Sequence, residues 1–432
     1  MHKHGSNRIA QDLRLSMSIA VIAGVALGYI AFALPLMADE TYYWAWSHNL
    51  DWGYFDHPPL IAFAIWLCQG NPRVTAYCAC MLSIALLTIS AKKYKSPVWF
   101  LVPILFLSSP LGLAAGIIAT PDSVLLVGEM LLLYGFVTQS ISLGSVAICI
   151  AILSKPTGWL LVPAFVVVFH THRHFWTCIA VSILVYAPHF GWSLNNDMLP
   201  WSFQASRPFR IEWTQLIHWL EFCLGQILLV GPLFVYGLIE MHRRGRSSLP
   251  WMKAITLPSL FVLICLLIGH RVEANWSLLI WPVVLVWTVT QPRGFAPKMY
   301  RLQLYYGCLT ALIALLLTAF HHKIPLNFGP DRAPISFAKC AQNIVGDHQL
   351  LVSRYQEAAR LQYASIQPIL ASTKEHRRSQ YDLWGHIRSQ KPRCGDWIAY
   401  EAGLCPGEEK RIDACGIPLH HCDCAPKPSV LD

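Results

Sequence analysis

Charge is scarce in this chain, and acid is the scarcer sign. The 432 residues hold 24 Asp and Glu against 33 Lys and Arg, and charged residues make up 13% of the whole. So little charge cannot coat a soluble globule of this length or keep a disordered chain solvated, and with 55% hydrophobic residues and a mean hydropathy of +0.43 it indicates a polytopic membrane protein. Internal duplication is absent too, which argues against the paired halves common among transporters. Low-complexity tracts are missing, so no fibrous or linker-like segment is expected.

The net charge of +9 would suit a nucleic-acid partner if it were clustered, but it is not. Lys3, Arg8 and Arg14 precede the first apolar run, and Lys92, Lys93 and Lys95 follow the second. Arg173, then Arg243, Arg244 and Arg246, then Arg293, Lys298 and Arg301 mark later turns. Basic residues between alternate apolar runs are cytoplasmic by the positive-inside rule, and no nucleic acid is implied. A bilayer core about 30 Å thick needs roughly 20 apolar residues per helix. Windows of that kind fall at 16–37, 74–91, 97–117, 121–138, 141–154, 157–170, 175–194, 218–240, 250–268, 277–290 and 304–320. The expected fold is therefore an all-α polytopic membrane protein of about eleven transmembrane helices, with the short segments around Lys155 as a broken pair. Residues 1–320 form the membrane domain and 321–432 a small carboxyl-terminal α/β domain in the periplasm. The first run is read as a retained span and not a cleaved signal, because its apolar stretch is long and continues past the "AFA" at 31–33.

This threading puts Asp39, Glu40, Asp51, Asp56, Asp122, Asp197, Glu212 and Glu273 on the outer side, with Arg73, Lys155, Arg207, Arg210 and Arg271. Residues 38–73 form a long first outer loop, whose "TYYWAW" and "PPLIAFAIWLCQG" read as interfacial helices with the aromatic rings as headgroup anchors. Glu129, lower in the fourth span, is read as structural. Of the fourteen Cys, six lie in the tail at 340, 394, 405, 415, 422 and 424; disulfides are favoured there over a metal site at "HHCDC", residues 420–424.

Carboxylates at the end of a span are costly unless solvated, paired or used. Here they stand in "DETYYWAW" (39–46), followed by "GYFDHPPL" (53–60). These two stretches resemble the GT-C superfamily of membrane glycosyltransferases, in particular the bacterial enzymes related to protein O-mannosyltransferases and the lipid A aminoarabinose and galacturonic acid transferases. The resemblance continues through "NPRVTAY" with Arg73, "ATPDSVLL" with Asp122, "LSKPTGWLLVPA" with Lys155, "LGQILLVGP" with Gln226, and "RVEANWSLL" with Glu273, Asn275 and Trp276. It reaches the tail at "SRYQEAARLQY" and "RRSQYDLW", and ends before the Cys-rich segment after about 394. Where the family usually carries an aromatic after the lysine of "SKYTG", this chain has Pro156.

The resemblance implies sugar transfer, with inversion, from a polyprenyl-phosphate donor to a lipid, glycan or protein acceptor at the outer face of a bacterial inner membrane. An attacking hydroxyl must lose a proton, so Asp39 is the expected general base, with Glu40 and Asp122 as further catalytic acids. The departing lipid phosphate needs cations, for which Arg73, Lys155, Arg207, Arg210 and Arg271 are the candidates. Tyr42, Tyr43, Tyr54, His57, Gln226, Glu273, Asn275 and Trp276 are expected to contact substrate. Asp56 and His57 offer one carboxylate and one imidazole to a divalent metal ion, which would need further oxygens from Asp122 or Glu273; the competing reading makes His57 an ordinary loop histidine before Pro58. A transporter or flippase for the same lipid is the alternative function, and a sensory or structural module with an outer domain is a third.

Overall fold

The structure is a computed structural model that describes residues 18, 21–205, 215–243, 252–267, 273–291, 297–320, 335–346, 350–352, 354–364, 369–370, 379–384, 394–399, 405, 408–413 and 419–423. Each of the eleven segments read as spans contains a helix or two consecutive ones. Among the described residues four helices are long and apolar enough to cross a membrane, and up to seven spans result if each of three bent pairs counts as one.

Helix α1 (Val21–Ala33) turns by 87° into α2 (Ala38–Ser47). Pro35 stands in the break, where it cannot continue a helical hydrogen-bond ladder. The new helix then needs its first N–H groups satisfied, and Glu40 at its third position reaches back to the Met37 N–H at 2.8 Å. The acidic pair thus opens a second helix laid across the end of the first, where the helix dipole favours negative charge. A short α3 (Leu60–Leu67) ends in left-handed Gln69 and Gly70, and α4 (Pro72–Lys93) starts on the Asn71 side chain, which accepts from the Arg73 and Val74 N–H groups.

Helices α5 (Val102–Leu107) and α6 (Pro110–Ile117) form a second bent pair, and α7 (Pro121–Thr138) follows behind the Thr120 cap. It packs closely on α8 (Ile141–Ser154) because it presents glycine there. A Cβ on Gly128 would stand 3.1 Å from the Ala147 carbonyl oxygen and the Ala151 nitrogen, and one on Gly135 3.0 Å from the Gly144 nitrogen. Then come a 3-10 turn at Pro156–Leu161, α9 (Val162–Phe169), α10 (Phe175–Asn195) and α11 (Leu199–Ala205).

Helices α12 (Gln215–Val230) and α13 (Pro232–Arg243) meet at a 111° bend on Gly231, whose φ is +85°. Next are α14 (Met252–Leu267), a 3-10 turn at Ala274–Leu279, α15 (Trp281–Thr290) and α16 (Pro297–Phe320). Buried Gln303 of α16 repairs the bend, accepting from Leu233 N–H at 3.1 Å and donating to the Val230 carbonyl at 3.2 Å. Large apolar side chains such as Ile183, Leu184, Leu309 and Leu312 face outward on α10 and α16, a surface suited to lipid.

The tail comprises α17 (Ile335–Val345), β1 (Leu350–Val352), α18 (Tyr355–Tyr363), β2 (Ile369–Leu370), α19 (Gln380–Leu383), β3 (Trp397–Ala399), β4 (Glu408–Ile412) and β5 (Leu419–Asp423). The strands form one mixed sheet in the order β2-β1-β3-β5-β4, parallel across β2-β1-β3 and antiparallel beyond. Cys405 is bonded to Cys422, and Cys340 is also disulfide-bonded, while Cys394 is a free, exposed thiol. In "HHCDC", among the described residues, His420 pairs with Glu409, His421 pairs with Asp423 and Cys422 is in a disulfide.

The tail covers the first outer loop. Tyr42, Tyr43, Trp46 and Tyr54 share a buried cluster with Tyr355, Ala358, Tyr381 and Trp397. The expectation that these loop aromatics anchor to headgroups is thereby corrected for the buried rings: they form a protein core because the tail removes them from the interface. Trp52 remains exposed.

Candidate active site

Helix α2 presents Asp39 alone. Of its ten residues eight are buried, Trp44 is half-buried and Asp39 is exposed. Glu40 points inward and is held on every side. Arg73 Nη2 lies 2.8 Å from its Oε2, and its Oε1 accepts from the Ala119 N–H at 3.0 Å. Burial pushes the Glu40 carboxyl up to about 7, against the opposing pull of Arg73 and the two backbone donors. Arg73 Nη1 also donates to the Ile117 carbonyl (2.8 Å) and Nη2 to that of Pro35 (2.6 Å). Glu40 and Arg73 therefore tie the beginnings of α2 and α4 to the end of α6.

The Ala119 contact brings α2 to the start of α7, where Asp122 sits in the first turn. Lys155 Nζ donates to both Asp122 oxygens at 2.9 Å, and Asn275 Nδ2 donates to Oδ2 at 2.6 Å. Both members of the ion pair are buried. Local backbone explains how Lys155 reaches it. A residue preceding proline is pushed out of the helical region, and Lys155 is extended (φ −156°, ψ 148°) before Pro156, which ends α8 at that point. Asn275 is delivered by the 3-10 turn, which Gln226 braces. The Gln226 amide donates to the Ala274 carbonyl at 3.0 Å and accepts from Ser277 Oγ at 2.5 Å and Trp281 Nε1 at 3.0 Å.

Tyr43 joins these groups. Burial and the charges of Asp39, Asp56 and Asp122 together push its phenol well above the ordinary tyrosine range, so one ring lies within the field of all three carboxylates. Its ring is 6.3 Å from that of His57. Asp56 is buried and His57 half-buried, and among the described residues no group of three or more His, Cys, Asp or Glu is placed to hold a metal ion.

The fold that carries this site has counterparts among solved structures. The structures of ArnT from Cupriavidus metallidurans match with TM-scores of 0.62 in the apo state and 0.61 bound to undecaprenyl phosphate. The first covers 96% of this chain and 98% of that one at 12% identity, the second 94% and 97% at 13%. The chain has the GT-C fold. The lipid A galacturonosyltransferase RgtD of Rhizobium johnstonii is 25% identical to it, over 69% of this chain and 69% of that protein. No family model matches the chain. The resemblance drawn from "DETYYWAW" and "GYFDHPPL" is thus borne out.

Within the GT-C fold the expected site residues separate. Asp122, Lys155 and Asn275 converge, Gln226 braces the turn that delivers Asn275, and Tyr43 feels the charge of both Asp39 and Asp122. Tyr42 and Tyr54 hold the loop: the Tyr42 hydroxyl accepts from the Gln380 N–H at 2.6 Å, and Tyr54 stacks on Trp46 at 4.3 Å with its hydroxyl on the Trp46 and Asn49 carbonyls. Glu273 is exposed just before the 3-10 turn, and Trp276 stacks on Phe261 at 5.6 Å. Arg207, Arg210 and Arg271 lie outside the described residues. Sequence reasoning missed Gln380, which takes a hydrogen bond from the Phe55 N–H at 2.7 Å while donating its own N–H to Tyr42. Its signal was present in "RRSQYDLW", a stretch matched to the family without a partner in the first loop.

Proposed function

We propose that this chain is a membrane glycosyltransferase that moves a sugar from a polyprenyl-phosphate donor to a lipid A-type acceptor at the periplasmic face of a bacterial inner membrane. The observation that carries this reading is the splitting of the acidic pair: Glu40 is sealed against Arg73, while Asp39 is the one exposed side chain of α2, a helix that Glu40 joins through Ala119 to the start of α7, where Asp122 pairs with Lys155. The likeness to RgtD and to ArnT bound to undecaprenyl phosphate supports the donor and acceptor classes.

In the reaction an acceptor oxygen attacks the anomeric carbon, the bond from that carbon to the phosphate oxygen breaks, and the electron pair leaves with the polyprenyl phosphate. A hydroxyl acceptor gives its proton to Asp39. A lipid A phosphate is already ionised, and Asp39 then orients the acceptor and takes no proton. Lys155 supplies positive charge toward the departing phosphate, and Asp122 and Asn275 fix its direction. Arg207, Arg210 and Arg271 are the further candidates for charge toward the phosphate, and Tyr43 and His57 line the sugar's side. Any divalent metal would rest on Asp56 and His57. The eleven-span threading, the division at 320/321 and the outward-facing site belong to this proposal.

The test is transfer from polyprenyl-phosphate sugars in liposomes by purified wild type and Asp39→Asn. The variant is expected to lose at least a hundredfold in rate, a general base contributing roughly 10²–10⁴; full retained transfer removes Asp39 from the mechanism. Mass spectrometry of envelope lipids with and without the gene is expected to show one missing sugar. An unchanged glycan profile with altered lipid distribution across the membrane would instead indicate a transporter.

A further inference from the structure

A cavity of about 540 Å³ opens at the far end of α2, lined by Ser47, His48, Leu50, Trp66, Gln69 and Gly70. The turn after α3 shapes it. Gln69 and Gly70 both have positive φ, 57° and 74°, and a Cβ at Gly70 would stand 3.3 Å from the His48 ring, so a left-handed turn without a side chain keeps the imidazole edge open. Trp66 is 57% exposed although it follows the fully buried Ile65.

The lining carries no charged side chain. It has one large aromatic face, an amide, an imidazole and an aliphatic side chain. The Gln69 side chain is exposed and makes no hydrogen bond among the described residues. His48 Nδ1 lies 2.9 Å from the Trp44 carbonyl oxygen, which can only accept, so the proton sits on Nδ1 and the Nε2 lone pair is left to accept. An indole face for C–H groups beside a free donor–acceptor pair and a free acceptor suits a sugar ring: hydroxyls supply the complementary polar atoms and no ionic partner is required.

The cavity is not the reacting centre. Ser47 lies eight residues beyond Asp39 on the same helix, about 12 Å at 1.5 Å per residue. A sugar held there belongs to the part of a bound glycan that does not react at Asp39. We propose that this cavity is a subsite for a neutral sugar unit of the acceptor, with Trp66 as its stacking platform and Gln69 and His48 as its hydrogen-bonding groups. The inference rests on the transferase reading and adds how the acceptor is gripped.

Trp66→Ala and Gln69→Ala are compared with wild type in the liposome assay, varying donor and a lipid-anchored acceptor separately. Both variants are expected to raise the acceptor KM at least fivefold, with kcat and the donor KM within twofold. Leu67→Ala, which removes an adjacent 77% exposed apolar side chain outside the cavity, is expected to change neither; an equal effect there would mean that Trp66 only anchors the loop to lipid, and would overturn the proposal. A second measurement needs no turnover: saturation-transfer NMR of the detergent-solubilised full chain with a water-soluble, uncharged N-acetylglucosamine disaccharide. Signal in wild type that is lost in Trp66→Ala and Gln69→Ala sustains the subsite, even were transfer never observed and the transferase reading to fail. Transfer with unchanged acceptor KM in both variants, or disaccharide signal unaffected by them, overturns the subsite and leaves the transferase reading intact.

Discussion

Two adjacent carboxylates, Asp39 and Glu40, have opposite fates, and mutation separates them. Glu40→Gln leaves the buried Arg73 guanidinium without its counter-ion, a loss of about 3–5 kcal/mol for one member of a buried pair. A lowered midpoint for thermal unfolding in detergent is the expected outcome. Asp39→Asn removes an exposed side chain and is expected to unfold within a degree or two of wild type while losing transfer, so the two substitutions exchange their effects on stability and rate. The same logic applies to the inner pair. Lys155→Met strands Asp122 with Asn275 as its remaining partner, and loss of both stability and transfer is expected. Asp122→Asn with Lys155→Met together should recover part of the stability and none of the rate, which a double-mutant cycle of unfolding midpoints and initial rates reads directly.

At the level of helices and turns, the outer end of α8 matters because it delivers Lys155, and α8 is held by glycine contacts with α7. Gly128→Leu drives a side chain into the Ala147 and Ala151 backbone, and overpacking of this kind costs about 1–3 kcal/mol. A lower unfolding midpoint with a fall in kcat is the expected result, and an unchanged midpoint would show that α7 and α8 have room to spare. Much of this level was legible beforehand. Apolar runs of span length and Pro156 after Lys155 are local signals that were read, whereas 97–117 was read as one span although Pro110 opens a new helix after an 80° bend. The bend at Gly231 was not read, because what makes it tolerable is distant: Gln303, some seventy residues on, satisfies the exposed backbone groups, and no local pattern carries that information. The acids were found as a set by topology and Asp39 was singled out as the base, but Glu40 was expected beside it as a catalytic residue and is instead sealed. That outcome arises from Arg73 of α4 and Ala119 in the link between α6 and α7, neither of which is local to the pair.

Across the whole molecule, the tail and the first loop act as one body. Phe55 and Tyr42 each depend on Gln380. Gln380→Ala leaves the buried Phe55 N–H without its partner, at about 1–3 kcal/mol for the unsatisfied group, and limited proteolysis is expected to cut within residues 38–73 faster than in wild type. The aromatic richness of that loop was the most visible feature of the sequence and was assigned to the membrane interface, since rings beside a span ordinarily sit there. What reversed the assignment is a partner surface more than three hundred residues away.

That partner surface covers nearly all of α2 and leaves a single carboxylate in view. An activated sugar ester is always at risk of being spent on water, which vastly outnumbers any acceptor, so an enzyme handling it needs shelter over the bond as much as chemistry beneath it. On the function proposed above, the carboxyl-terminal sheet and its helices, packed on the first loop, would supply that shelter. Loosening them would be felt first as leakage, with free sugar accumulating while the modified lipid does not.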